Sequence, residues 1–189
     1  MVKRVYRGKL VVAGDPAVGK SAICQMFAKD GSEFPKNYNM TFAPEVYTKV
    51  IPIPNTDDSV ELIVYDSPSF ELYTDLLGDF WKNPDLLMLV YDVTNSKSLK
   101  TIPIWFELCR QVDWHGKNGA PVASVLLGNR IDLEHRRAVQ EEEGLNMAER
   151  YLMKHFVGSA KNNQGLEDPF RYLANSYYQH RINEEKEEI

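Results

Sequence analysis

The chain has 189 residues, and its 22 lysines and arginines against 27 aspartates and glutamates give a formal net charge of −5 at pH 7. A chain of this length buries one sizeable core, so we expect a single domain. An acidic chain without clustered lysine and arginine argues against nucleic acid as the main partner. The longest apolar run, residues 86–91, is far shorter than the ~20 residues needed to cross a bilayer, so we expect no membrane-spanning helix.

The two cysteines, Cys24 and Cys109, lie far apart in segments with a helical pattern. This arrangement provides no disulfide scaffold and is typical of a reducing compartment. We therefore expect the protein to work in the cytosol.

Short apolar runs alternate with helix-like segments along the chain, which is the pattern of parallel strands joined by crossover helices. A first strand over 9–13 is followed by a glycine-containing turn and a helix over 21–29. Two extended runs, 45–53 and 60–66, flank the turn-rich residues 54–58 and predict a hairpin. The hairpin would place one antiparallel strand at the edge of the sheet.

Three further strands are predicted over 86–92, 122–128 and 156–159, because each run is apolar in the way of a strand covered on both faces. Pro103 lies inside a helical pattern, and the missing donor of proline predicts that this helix starts near Ile102 or is kinked. The predicted fold class is α/β: three layers, with a six-stranded, mostly parallel sheet, one antiparallel edge strand and helices on both faces.

A phosphate-binding motif follows the first strand. Residues 14–21, with the sequence GDPAVGKS, match G-x-x-x-x-G-K-[ST] between a hydrophobic strand and the start of a helix. Backbone N–H groups of such a loop converge on phosphates, the lysine reaches the terminal phosphates and the serine hydroxyl binds Mg²⁺. Pro16 departs from the ideal because it has no N–H to offer a phosphate. The predicted phosphate-binding residues are Asp15, Pro16, Ala17, Val18, Gly19, Lys20, Ser21 and Ala22.

Residues 129–132, with the sequence NRID, follow the strand ending at Gly128 and predict the base. The Asp132 carboxylate is placed to accept hydrogen bonds from adjacent N–H and NH₂ groups, which guanine has and adenine lacks. Burying a carboxylate without those donors costs several kcal/mol, so the same pocket would reject adenine. Asn129 belongs to the same motif, and Arg130 can lay its guanidinium or its aliphatic stem along the base.

A third loop follows the last strand and contains Ser159, Ala160 and Lys161. The Ala160 N–H is placed to meet guanine O6. Open parallel sheets bind ligands at the carboxyl ends of their strands, and all three loops fall at that edge. The three loops together predict a guanine-nucleotide site.

The three motifs, in this order and at these separations, resemble the Ras superfamily of small GTPases over about residues 8–180, and Val90-Tyr91-Asp92-Val93-Thr94-Asn95 resembles the Rab branch. Residues 14–21, 50–56 with 59–62, and 136–139 are similar to the Rab-like GTPases of the intraflagellar transport B complex. The resemblance implies a P-loop small GTPase fold that binds GTP or GDP with Mg²⁺. It implies a GTPase domain over residues 1–183, followed by an acidic tail over 184–189.

The resemblance also implies a magnesium site formed by Ser21, the switch threonine Thr41 and Asp66. The residues after Asp66 depart from the family pattern D-x-x-G-Q. Ser69 replaces the glycine that contacts the γ-phosphate, and Phe70 replaces the glutamine that orients the attacking water. Because a phenyl ring can neither donate to nor accept from water, we expect intrinsic hydrolysis to be very slow or absent.

Partners and location come from the resemblance alone. It implies a heterodimer with a small β-sandwich subunit, attachment to coiled-coil subunits of the same transport complex, and a location in the cytoplasm and the cilium or flagellum. With no cysteine after Cys109 and with Val2 in place of a glycine, we expect no prenyl or myristoyl anchor.

Three alternatives remain open. The first is a Rab-type switch of vesicle traffic that cycles between GTP and GDP. The second is a P-loop phosphotransferase such as a nucleoside monophosphate kinase, which would have no use for Asn129 and Asp132. The third is a scaffold that has lost nucleotide, which the retention of Lys20 and Ser21 argues against.

Overall fold

The structure, a computed structural model, describes residues 3–32, 34–35, 44–68, 81, 83–111, 113–116 and 119–187. Within these residues six strands form one sheet in the order β2-β3-β1-β4-β5-β6. β2 runs antiparallel to β3, and the other neighbouring pairs are parallel. The predicted mostly parallel sheet with one antiparallel edge strand is therefore confirmed. The strands are β1 (Val5–Gly14), β2 (Glu45–Pro52), β3 (Ser59–Asp66), β4 (Leu86–Asp92), β5 (Ala123–Asn129) and β6 (Lys154–Val157).

Five α-helices and one 3₁₀ helix (Ile131–Arg136) lie in the described ranges. Pro103 occupies the first turn of its helix, where its missing N–H leaves no intrahelical bond unmade, and the helix begins at Ile102 as predicted. None of the helices in these ranges is long and apolar enough to span a membrane. The α-helices are α1 (Lys20–Ala28), α2 (Ser96–Lys100), α3 (Ile102–Arg110), α4 (Glu141–Arg150) and α5 (Glu167–Glu187).

The sheet separates two hydrophobic cores, and β1 contributes to both. Leu10 and Val12 face one core together with residues of α1 and α5, whereas Val11 and Ala13 face the other with residues of α3 and α4. Alternate residues of a strand point to opposite faces, so a run of apolar residues is buried on both sides. The predicted three-layer arrangement, with helices on both faces, is confirmed.

The last strand lies two residues earlier than predicted, at Lys154–Val157 instead of 156–159. It pairs with Val125–Gly128 of β5, and Ser159 instead makes two backbone hydrogen bonds with Gln164, at 2.8 and 3.0 Å. Residues 158–159, which were expected to end the strand, belong instead to a tight loop, and Ser159 lies beyond the end of β6.

The acidic residues near the C-terminus continue α5, which extends through Glu187. The predicted boundary between domain and tail therefore falls within a helix. Glu185 accepts hydrogen bonds from the guanidinium of Arg4 at 2.9 Å and from the hydroxyl of Tyr6 at 3.2 Å. The ion pair with Arg4 is largely exposed and contributes little to stability, so the buried stripe of α5 does most to hold this helix on the sheet.

Replacing Phe170 with alanine is expected to lower the free energy of unfolding by about 3–5 kcal/mol, because the lost ring leaves a cavity in the core. Phe170 is fully buried on α5, and its ring stacks on that of Phe27 with the centroids 3.7 Å apart. Urea unfolding measures the change. Tyr172→Ala on the same helix is the control, since that side chain is 36% exposed, and a comparable loss in both variants would contradict the prediction.

Candidate nucleotide site

The predicted site residues lie at one edge of the sheet, where the parallel strands end. Residues 15–19 follow β1, Asp66 ends β3 and Asn129 ends β5. The loop with Ser159 follows β6. Because the carboxyl ends of parallel strands share an edge, the fold brings together loops that are more than a hundred residues apart in the chain.

The loop between β1 and α1 needs left-handed backbone angles at three positions, with φ of 144° at Gly14, 61° at Ala17 and 99° at Gly19. A Cβ at Gly14 would lie 2.4 Å from the carbonyl oxygen of Val90. A Cβ at Gly19 would lie 2.3 Å from the side-chain nitrogen of Asn129. The two motif glycines therefore permit contacts with β4 and with the Asn129 loop that no side chain would allow.

Lys20 is held beneath this loop and is only 7% exposed. Its ammonium donates hydrogen bonds to the carbonyl oxygens of Gly14 at 3.0 Å and Asp15 at 3.1 Å. Burial lowers the pKa of Lys20 to about 8, and the negative charge of Asp66 acts in the opposite direction. A buried cation at the N-terminus of a helix favours an anionic ligand such as phosphate.

Asn129 joins three loops through its side-chain amide, which is 2% exposed. Its nitrogen donates to the carbonyl oxygen of Val18 at 2.9 Å, and its oxygen accepts from the N–H of Ala160 at 3.0 Å. The Ala160 N–H, for which the sequence predicts a contact with guanine O6, thus already has an acceptor, and its contact with the base stays a prediction. The amide fixes the phosphate loop relative to the two loops predicted to hold the base.

Arg130 has a left-handed backbone, with φ of 73°, and its guanidinium turns toward the phosphate loop. It donates to the carbonyl oxygen of Ala17 at 2.7 Å and to the carboxylate of Asp92 at 2.9 Å. Asp92 also accepts from the N–H and the hydroxyl of Thr94, which fixes the turn after β4. The pairing of Asp92 with Arg130 is not predicted by any sequence motif, although Asp92 lies opposite Asn129 in the β4–β5 register.

Asp132 lies in the 3₁₀ helix after β5, and its carboxylate is oriented by a neighbouring loop. The buried hydroxyl of Ser159 donates to its Oδ1 at 2.6 Å. Lys161 is exposed in the same loop as Ser159. The predicted base-binding residues are thus adjacent in space, and their contact with a base stays a prediction.

Asp66 is fully buried, and neither oxygen of its carboxylate makes a well-formed hydrogen bond within the described ranges. Burial raises the pKa of Asp66 to about 6, while the nearby Ser21 hydroxyl and the Lys20 ammonium act in the opposite direction. Buried polar atoms without hydrogen-bond partners are rare, and a bound ion is one of the groups that can satisfy them. Carboxylate oxygens of this kind suit Mg²⁺. The Asp66 carboxylate and the nearby Ser21 hydroxyl therefore fit the predicted magnesium site. Thr41, the third predicted ligand, lies outside the described residues, as do Ser69 and Phe70.

Two tryptophans that no sequence motif predicted contact the phosphate end of the site. Trp105 of α3 donates its indole N–H to the carboxylate of Asp15 at 2.7 Å. Trp81 donates to the hydroxyl of Ser67 at 2.9 Å, next to Asp66. The sequence gives no signal for either contact, because each joins residues that share no motif.

The sequence of this chain is similar to that of known proteins over most of its length. The family model described as Ras family matches residues 9–179. The human intraflagellar transport protein 27 homolog is 39% identical over 181 residues, covering 96% of this chain and 94% of that protein. Intraflagellar transport protein 27 of Chlamydomonas reinhardtii is 32% identical over 182 residues, covering 94% and 87%. Ras-related protein Rab-28 of Caenorhabditis elegans is 34% identical over 163 residues, covering 86% and 64%.

Proposed function

Because the chain belongs to the Ras family, we propose that it is a guanine-nucleotide-binding, Rab-like GTPase of intraflagellar transport that acts in the cilium or flagellum. The observation that carries the nucleotide proposal is the side-chain amide of Asn129, which joins Val18 of the phosphate loop to Ala160. The proposal of intraflagellar transport is supported by the names of relatives that are 39% identical over nearly the whole chain.

The phosphate half of the proposed site uses the loop over 15–19, the Lys20 ammonium and the first turn of α1. In this proposal Lys20 holds the terminal phosphates, while Ser21, Thr41 and Asp66 hold Mg²⁺. When bound, Mg²⁺ neutralises the charge of the β- and γ-phosphate oxygens. The burial of Lys20 and Asp66 supports this assignment, because each buried charge would be stabilised by a ligand of opposite charge.

The base half of the proposed site selects guanine through the Asp132 carboxylate. Ser159 supports that role, since its hydroxyl leaves the second carboxylate oxygen as the natural acceptor for the donors of the base. Asn129 and Arg130 hold this loop against the phosphate loop, and the segment 159–161 completes the pocket. Each of these residues acts by positioning or by hydrogen bonding to nucleotide.

Hydrolysis in this proposal is very slow or absent. Phe70 stands where the resemblance places a water-orienting glutamine, and a phenyl ring cannot hydrogen bond to water. Ser69 stands where the resemblance places a glycine, a residue that reaches positive φ angles more freely than serine. Bound GTP would then act chiefly as a lasting ligand that keeps the protein in one conformation.

We extend the proposal to partners on the basis of the resemblance. The protein would be a subunit of the intraflagellar transport B complex, would pair with a small β-sandwich subunit and would contact coiled-coil subunits. It would be found in the cytoplasm as well as in the cilium.

A cycling Rab-type switch is the second candidate, and the 34% identity to Ras-related protein Rab-28 favours it. The two candidates differ in turnover. A switch must convert GTP to GDP repeatedly, whereas the proposed transport subunit retains GTP.

The test is to release nucleotide from the purified protein, identify it by chromatography, and then follow phosphate release from GTP with Mg²⁺. We expect guanine nucleotide with negligible turnover. Phe70→Gln should raise the rate of phosphate release by about tenfold or more, whereas Phe70→Leu should leave it low. Unaided multiple turnovers by the unmodified protein would contradict the role of Phe70 and favour a cycling switch. Failure to bind any guanine nucleotide would overturn the nucleotide proposal.

A further inference from the structure

Trp105 is fixed in the core and contacts the phosphate loop from the side. Its ring is 8% exposed and packs in the core on the α3 and α4 side of the sheet, which also contains Ala13 from the end of β1. Its indole N–H donates to Oδ1 of Asp15 at 2.7 Å. The two residues are 90 positions apart, so the bond ties α3 to the loop directly.

Asp15 places a negative charge in a loop that is proposed to bind a triphosphate. Like charges repel strongly where water is partly excluded. The carbonyl oxygen of Asp15 already accepts from the Lys20 ammonium at 3.1 Å, so this aspartate lies beside the proposed phosphate-binding lysine. A carboxylate that turned from α3 toward Lys20 would compete with phosphate for the same cation.

We propose that Trp105 is a positioning residue for nucleotide binding, which holds the Asp15 carboxylate toward α3 and so prevents it from competing with phosphate for the Lys20 ammonium. This inference rests on the proposed nucleotide-binding function. The bond to a carboxylate is charge-assisted and therefore stronger than one between neutral groups. A phenylalanine at this position would fill most of the same space but has no N–H to donate to the Asp15 carboxylate.

A double-mutant cycle between Trp105 and Asp15 tests this inference. In the otherwise unmodified protein, Trp105→Phe should weaken the affinity for fluorescently labelled GTP by about tenfold. In a protein that already carries Asp15→Ala, the same substitution should change the affinity by less than about twofold, because no carboxylate remains to be held.

Trp114→Phe is the matched control. Trp114 is buried in the same core, at 6% exposed, and its indole N–H donates to the carbonyl oxygen of Cys109. This variant loses a tryptophan and a hydrogen bond outside the proposed site. It should lower the unfolding temperature and leave the affinity for GTP unchanged.

The indole N–H resonances provide a readout that is independent of nucleotide. The chain has three tryptophans, and in the structure each indole donates to a different acceptor. In a ¹H–¹⁵N spectrum, Asp15→Ala should shift the Trp105 resonance upfield and leave those of Trp81 and Trp114 in place. This variant keeps the tryptophan ring, so the readout holds even where Trp105→Phe folds poorly.

Two results would overturn the inference while the nucleotide proposal stands. One is an equal loss of affinity from Trp105→Phe with and without the Asp15 carboxylate, which would make Trp105 a packing residue. The other is an unchanged Trp105 resonance in Asp15→Ala. If the unmodified protein binds no guanine nucleotide at all, the nucleotide proposal fails and the positioning role fails with it, even where the resonance shifts.

Discussion

Replacing Asp132 with asparagine is expected to lower the affinity for GTP by about 10²–10³-fold and to create affinity for xanthosine triphosphate. In the proposed site the Asp132 carboxylate would accept from both the N–H and the NH₂ donors of guanine, each bond to a charged group contributing ~1.5–3 kcal/mol. An asparagine amide has one acceptor and one donor, so its NH₂ would face the NH₂ of guanine. Xanthine carries a carbonyl at that position, which restores a matched pair.

The structure indicates that this substitution leaves the loop in place. The Ser159 hydroxyl donates to Oδ1 of Asp132 at 2.6 Å, and the carbonyl oxygen of an asparagine can accept the same bond. Glu134→Gln is the matched control, because Glu134 is an exposed carboxylate on the same 3₁₀ helix that pairs with Arg137 at 2.7 Å. Competition binding with GTP, xanthosine triphosphate and ATP measures the preference. Undiminished GTP affinity in the Asp132 variant would show that this carboxylate does not read the base.

The strands and their mostly parallel pairing could be predicted from the sequence, because an apolar run marks each buried strand and the alternation of strands and helices indicates parallel neighbours. The apolar run over 86–92 coincides with β4, and a buried strand needs little beyond that composition. β6 lies two residues earlier than the apolar pattern predicts, because its limits depend on pairing with β5 and on the tight loop at Ser159. A hydrophobic pattern alone does not fix either of these long-range contacts.

The positions of the site residues could be predicted from the sequence, whereas the bonds between them could not. The rule that parallel strands end at one edge predicts that Asn129 approaches the phosphate loop. It does not predict the left-handed backbone of Arg130, which turns the guanidinium toward Ala17. The bond from Trp105 to Asp15 joins residues with no shared motif, and only the packing of α3 brings them together.

The buried charge of Lys20 indicates a conflict between stability and ligand binding at the same residue. The pKa of Lys20 falls from 10.5 to about 8, chiefly through burial, which means that the folded chain binds this proton less tightly than the unfolded chain. Burial of the charged lysine lowers the free energy of unfolding by its full amount below about pH 8, and this effect disappears as the pH rises toward 10.5. At neutral pH the cost is about 3 kcal/mol.

Lys20→Met is therefore expected to stabilise the nucleotide-free protein while weakening GTP binding by more than about 10²-fold. Loss of the hydrogen bonds to the carbonyl oxygens of Gly14 and Asp15 offsets part of the gain, so the free energy of unfolding should rise by roughly 1–2 kcal/mol at neutral pH. GTP affinity falls because the phosphates lose their buried cation.

Urea unfolding after removal of nucleotide, together with equilibrium binding of labelled GTP, separates the two effects of Lys20→Met. Lys154→Met on β6 is the control, because that lysine is exposed and its substitution should change neither quantity by much. The stability difference between Lys20→Met and the unmodified protein should shrink as the pH is raised from about 8, since the native lysine loses its charge there. A nucleotide-free Lys20→Met protein less stable than the unmodified one would mean that the ammonium holds the loop together more than its burial opposes folding. The hydrogen bonds of Lys20 would then stabilise the loop without a bound phosphate to offset its charge.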